Sequence, residues 1–159
     1  MAISIGVIGL GKIAQDQHLP CIAKNSDFKL AAVVSSRPSD LGVPSFKTPA
    51  EMLASAKLDA VAICTPPSVR RNIALECLTK GVHLLLEKPP TPTISEFADL
   101  KARAAVSGKV VFQTWHARFN KAVAEAKRLQ AGQKVTRLHV SWKESVWQWH
   151  PGQEWIWEP

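Results

Sequence analysis

The run LLLEKPP at residues 84–90 carries an apolar segment onto Glu87 and Lys88 and follows them at once with Pro89 and Pro90. Proline has no N–H for a ladder and a fixed φ, so a strand that reaches this point stops, and its charged end stays there. A lysine and a carboxylate fixed side by side at such a strand end are placed for chemistry. A second stretch, GLGKIA, spaces Gly9-x-Gly11-x-x-Ala14 after a β-branched run. Gly9 allows a tight turn, Gly11 lets the backbone approach a pyrophosphate, and a small third residue permits helix–strand packing. The helix N-terminus that follows, with Lys12 and Ile13, supplies N–H donors to the anion. The bland alternative for this stretch is a glycine turn with no ligand.

Both stretches need elements to hold them, and the chain supplies an alternation. Apolar runs over 3–10, 28–36, 58–67 and 82–90, with a further strand over 109–119, are separated by helical patterns over 12–25, 48–53, 68–81 and 93–108. The first helical face is interrupted at Pro20. Thr48, Pro49 and Glu51 read as a capping box with proline at the first helical position, Gly81 closes the third helix, and Ser95 or Thr93 caps the fourth. Near-continuous apolar strands alternating with helices predict an α/β fold, a doubly wound parallel sheet of the Rossmann dinucleotide-binding kind. Such sheets bind ligands at the carboxyl ends of their strands. Gly9 to Gly11, Ser36 and Arg37, Thr65 with Pro66 and Pro67, Glu87 and Lys88, and Trp115 and His116 are therefore expected on one rim.

The end of the second strand selects the dinucleotide. An NAD-selective site places an Asp or Glu there for the ribose 2′-hydroxyl, whereas this chain offers Ser35, Ser36 and Arg37. Arg37 can fork onto a 2′-phosphate and Ser36 can donate to it, so NADP is the expected cofactor, with NAD as a second acceptor. The alternative is that Arg37 is a solvated loop residue.

Composition bounds the rest. With 159 residues, 46% hydrophobic and 21% charged, the chain can bury a core, and the disordered class is excluded. No apolar stretch approaches the roughly 20 residues of a membrane span, and the first residues lack the basic flank of a signal peptide, so a cytoplasmic protein without membrane partners is expected. Cys21, Cys64 and Cys77 lack metal-ligand spacing and read as free thiols, with no metal implied. The net charge of +7 comes from scattered Lys and Arg, which argues against nucleic acid and for a small anionic ligand.

After Asn120 the pattern changes. Residues 121–132 read as a helix, and 134–146 alternate as a half-exposed strand should, with Val135, Leu138, Val140 and Trp142 among the apolar positions. Trp142, Trp147, Trp149, Trp155 and Trp157 crowd this end. Such a segment wants a covering surface, from a further domain, another chain or packing of its own.

With the phosphate turn, CTPP (64–67) and EKPP (87–90) in this order, the chain resembles the glucose-fructose oxidoreductase and inositol dehydrogenase family. GKIAQDQHLP (11–20), TWHAR (114–118) and WKESVWQWHPGQEWIWEP (142–159) look more narrowly like the bacterial aldose 1-dehydrogenases that oxidise D-galactose or L-arabinose. The resemblance implies a dinucleotide domain at 1–120 and, at 121–159, the beginning of an open-sheet substrate domain. It places Lys88 beside the nicotinamide and the reacting carbon, as the catalytic lysine. Partial desolvation next to a cationic nicotinamide would ease its loss of a proton. His116, Glu144 and His150 are implied as substrate contacts, with Trp149 as a sugar-facing wall, whereas His18, His83 and His139 have no motif behind them and read as structural or surface residues. In the family the substrate domain continues well past WEP, so the expected activity is that of a cofactor-binding half. Two other classes stand beside it: a non-catalytic NADP-binding module that docks through its Trp-rich end, and a basic nucleic-acid binder.

Overall fold

The structure is a computed structural model that describes residues 1–153. Trp155 and Trp157 lie outside the described residues. Two compact units are resolved, one of Met1–Trp115 and one beginning at His116.

In the first unit six parallel strands run in the order β3-β2-β1-β4-β5-β6, formed by β1 (Ile3–Ile8), β2 (Phe28–Val34), β3 (Ser45–Phe46), β4 (Ala60–Ile63), β5 (His83–Leu86) and β6 (Val111–Gln113). This is the doubly wound order, with its reversal point between β1 and β4. Adjacent residues of the central strands point to opposite faces. Ile8, Val34 and Ile63 pack with Met52, Leu78 and Leu100 on one side, while Val7, Val33 and Ala62 pack with Ala14, Leu19 and Ile22 on the other. Burying each large side chain contributes about 1.5–3 kcal/mol, so both faces hold the sheet in register.

The register has a property that matters for the site. Phe46, Val34, Ile8, Ile63, Leu86 and Gln113, the last residues of six strands, are partners across a single row. The next residues keep to the same line through the backbone bonds from Gly9 N–H to Val34 O, Ser35 N–H to Phe46 O, Cys64 N–H to Ile8 O, Glu87 N–H to Ile63 O and Thr114 N–H to Leu86 O. Every loop expected to carry chemistry therefore leaves the sheet at one level.

The helices start where their caps dictate. Thr48 Oγ1 accepts from the Glu51 amide at 3.2 Å while Glu51 returns to the Thr48 amide, opening α2 (Pro49–Ser55) as a full capping box. Thr93, rather than Ser95, caps α4 (Ile94–Ser107), and α3 (Pro67–Thr79) opens on a proline and is followed by Gly81 at φ 74°. The first helix does not break at Pro20. A wide π turn over Ala14–His18, in which the Leu19 amide reaches back to Ala14 O, precedes α1 (Leu19–Lys24) and absorbs the missing proline donor.

Two elements differ from expectation. The strand predicted over 109–119 ends at Gln113, and residues His116–Phe119 form a 3₁₀ turn instead. In the second unit, α5 (Lys121–Gln130) forms as the pattern requires, but 134–145 take no regular structure and leave Val135, Leu138, Val140 and Trp142 exposed. A strand exists only as part of a ladder, and no partner pairs with this segment among the described residues. A short helix, α6 (Val146–Trp149), follows it, capped by the Ser145 hydroxyl. No helix of the described residues is long and apolar enough to cross a membrane.

Candidate functional site

The end of β1 turns sharply at Gly9, whose φ of 88° suits glycine, and a Cβ there would meet the Thr65 amide and methyl at 3.1 Å. Gly11 differs: a Cβ added there would meet nothing within 4 Å. The chain's own packing does not demand glycine at 11, and the space it leaves open belongs to a cleft of about 1360 Å³ lined by Gly9, Gly11, Lys12, Ser36, Arg37, Thr65 and Pro66. The helix begins at Lys12, and Gln15 is the residue whose amide reaches Gly11 O. Amides at such a start lack intrahelical acceptors and suit an anion. Ala14, fully buried against Ile5 and Val7, supplies the close helix–strand packing expected of a small third residue. The glycine pair, the open space and the helix start fit a dinucleotide pyrophosphate. Ile13 is exposed beside this turn, and Pro67 sits in the first turn of α3.

At the end of β2, Ser35 is buried and its hydroxyl accepts from the Arg37 amide, turning Ser36 and Arg37 outward. No carboxylate stands at Ser35, Ser36 or Arg37, although Asp40 lines the cleft three residues on. Lys47 brings a second cation to this corner, its ammonium donating to Ser36 O at 3.3 Å. Sequence reasoning did not single out Lys47, because it is contributed from beyond β3.

At the end of β4, the Thr65 hydroxyl is buried and has no hydrogen-bond partner among the described residues. Its neighbour Cys64 is a free thiol pushed up to about 12 by burial and by the Glu87 charge, against the pull of Arg70.

The densest arrangement lies past β5. Glu87 is buried, with Oε1 2.7 Å from His18 Nε2 and Oε2 accepting from the Lys88 amide at 3.2 Å. Burial pushes its carboxyl up. The hydrogen bond from His18, with that of the Lys88 amide, outweighs that and holds Glu87 below the usual carboxylate range. The ionised carboxylate can only accept, so His18 Nε2 carries a proton. Glu87 is thus partnered by His18 and not by the Lys88 ammonium, correcting one option for this pair, and His18, read as structural or surface, is a buried structural partner of Glu87. Lys88 itself is exposed, joined to Pro89 by a cis peptide bond. The desolvation expected of it is not supplied by the described residues.

Arg70 was also unforeseen. It is 3% exposed, and its guanidinium donates to Thr65 O, Glu87 O and Pro89 O. Burial lowers its pKa and the Glu87 charge opposes that, but an arginine stays cationic in either case.

Trp115, after β6, is exposed at the end of the first unit. His116, Glu144, Trp149 and His150 all belong to the second unit: His116 opens the 3₁₀ turn, Glu144 is exposed before the Ser145 cap, Trp149 ends α6, and His150 Nδ1 lies 3.3 Å from Gln153 Oε1. His83, read as structural, accepts the Val110 amide on Nδ1 at 3.0 Å.

Residues 3–114 match the family described as oxidoreductases with an NAD-binding Rossmann fold. The chain is 38% identical over 162 residues to a galactose 1-dehydrogenase of Pseudomonas fluorescens, covering 99% of this chain and 51% of that protein. It is 30% identical over 125 residues to a D-glucoside 3-dehydrogenase of Escherichia coli (strain K12), covering 74% of this chain and 36% of that protein. Among solved structures, D-galactose-1-dehydrogenase from Rhizobium etli matches with a TM-score of 0.90 and 45% identity, over 99% of this chain and 51% of that one. The chain spans about half the length of the galactose dehydrogenases it matches.

Proposed function

The chain belongs to the oxidoreductase family with an NAD-binding Rossmann fold, the glucose-fructose oxidoreductase and inositol dehydrogenase family that its motifs resemble, and from that premise we propose that it is the cofactor-binding part of an NADP-preferring aldose 1-dehydrogenase. The substrate is an aldopyranose of the galactose or arabinose type and the product a lactone. The enzyme is cytoplasmic and handles no nucleic acid. The observation that carries this reading is the shared rim: the turn at Gly9–Gly11, the Ser36–Arg37 corner and Lys88 all leave the sheet at one level.

When bound, the cofactor supplies the hydride acceptor, nicotinamide C4. The chain's residues do the rest. Gly9, Gly11, Lys12 and Ile13 bind the pyrophosphate, Ser36, Arg37 and Lys47 hold the 2′-phosphate, and Thr65, Pro66 and Pro67 wall the cleft. Lys88 contacts the C1 hydroxyl through its ammonium, stabilising the alkoxide that develops as the C1 hydride passes to the cofactor and the hydroxyl proton to solvent water. Glu87, with His18, fixes the turn that carries Lys88. Trp115 walls the nicotinamide end in the first unit, and His116, Glu144, Trp149 and His150 of the second unit keep the sugar-contacting roles that the family resemblance implies.

The test is fluorescence titration with NADPH and NADH, then NADP reduction with galactose and arabinose. Tighter NADPH than NADH binding and a lactone product support the reading. Binding without turnover in the full-length protein would replace it with a non-catalytic NADP-binding module.

A further inference from the structure

We propose that Arg70 is a positioning residue for Lys88, holding the Lys88 turn at a fixed distance from the cofactor wall. The inference rests on the role proposed above for Lys88. Past Leu86 the strand has ended, and Pro89 and Pro90 bring no amide hydrogens, so carbonyls in this turn must find donors elsewhere. Arg70 provides them from α3. One nitrogen, Nη1, donates to Glu87 O and to Pro89 O, the carbonyls on either side of Lys88, and Nη2 donates to Thr65 O. Thr65 lines the cleft. A single planar group therefore joins the backbone before Lys88, the backbone after it and the wall on which the cofactor would rest.

The location separates this role from an ordinary ion pair. Arg70 faces carbonyl oxygens, and its charge is not spent on a surface carboxylate, in contrast to Arg71, one residue on, which pairs with Asp99 on α4. Lysine could bring the charge but not the rigid fork, so it would satisfy fewer of the carbonyls at once. Loss of alignment at a reacting centre costs rate rather than affinity, and a shift near 1 Å is worth about 100-fold.

The experiment compares Arg70→Lys, Arg70→Met and Lys88→Ala in the full-length protein, with galactose carrying hydrogen or deuterium at C1. For both Arg70 variants the expected result is a kcat lower by about 10- to 100-fold. NADPH affinity should stay within about threefold, and the deuterium isotope effect should rise as hydride transfer becomes the slow step. Arg70→Lys is expected to retain more activity than Arg70→Met, and it carries the test if the methionine variant does not fold. Wild-type turnover in both Arg70 variants overturns the proposal. So does a parallel fall in NADPH affinity, melting temperature and kcat, which would make Arg70 merely structural. Wild-type turnover in Lys88→Ala would instead overturn the proposed function on which the inference rests, whatever the Arg70 variants do.

Discussion

His18 Nε2 lies 2.7 Å from Glu87 Oε1, so the helix after the first strand is tied to the end of the fifth across 69 residues of sequence. Both side chains are about nine-tenths buried, which makes the pair a fixed part of the rim.

The pair predicts an acid-side loss of stability. Glu87 is held below the ordinary carboxylate value of about 4.3, so the unfolded chain takes up its proton first as pH falls. Its contribution is complete above that ordinary value and disappears as pH drops through the lower folded value. Urea midpoints measured from pH 7 to pH 3 should therefore fall more steeply in the wild type than in Glu87→Gln; identical slopes would show that the pair is not ionised as described. His18→Ala should cost about 1–3 kcal/mol at pH 7 by leaving the carboxylate short of a donor.

Gly9 and Gly11 should separate stability from binding. Gly9→Ala forces a left-handed φ on a side chain that also meets Thr65, so a loss of about 1–3 kcal/mol is expected. Gly11→Ala meets nothing in the protein and should melt like the wild type, yet NADPH affinity should drop by about tenfold or more, because the methyl group enters the open space proposed for the pyrophosphate. Unchanged affinity in Gly11→Ala would place the dinucleotide elsewhere.

Arg37→Ala and Lys47→Ala should each weaken NADPH binding by about tenfold, the worth of a charge-assisted hydrogen bond, and leave NADH within about twofold. The measurement is paired fluorescence titration at fixed ionic strength. Equal losses for the two cofactors would remove the 2′-phosphate from this corner.

Lys88→Ala should lower turnover by about 100-fold or more while NADPH affinity changes only a few fold, since the exposed ammonium is proposed to meet the sugar hydroxyl rather than the nucleotide. Steady-state kcat alongside NADPH titration decides it.

Much of the fold around this candidate site was legible because its signals are local. A β-branched run followed by Gly9-x-Gly11, the capping box at Thr48 and the stop at Pro89 each declare themselves within a few residues. What was not legible depends on contacts far apart in sequence. Arg70 and Arg71 are indistinguishable neighbours until the fold turns one into the protein and the other toward Asp99. His18 meets Glu87 only after β1, β4 and β5 have paired. The alternation over 134–146 was a sound strand pattern, but a pattern supplies no ladder, and among the described residues none forms. β3, two residues long, is recognisable only beside β2.

The common finishing row of the six strands acts as a levelling gauge. Each residue of strand advances the chain by about 3.3 Å, so one insertion in β1 or β5 would raise a single loop by that amount above its neighbours and exchange which side chains face each core. Errors of one residue would then be felt in the fold before they were felt in the reaction. The site's tolerances are kept by the packing of Val7, Val33, Val61 and Ile63, core residues that do not line the cleft.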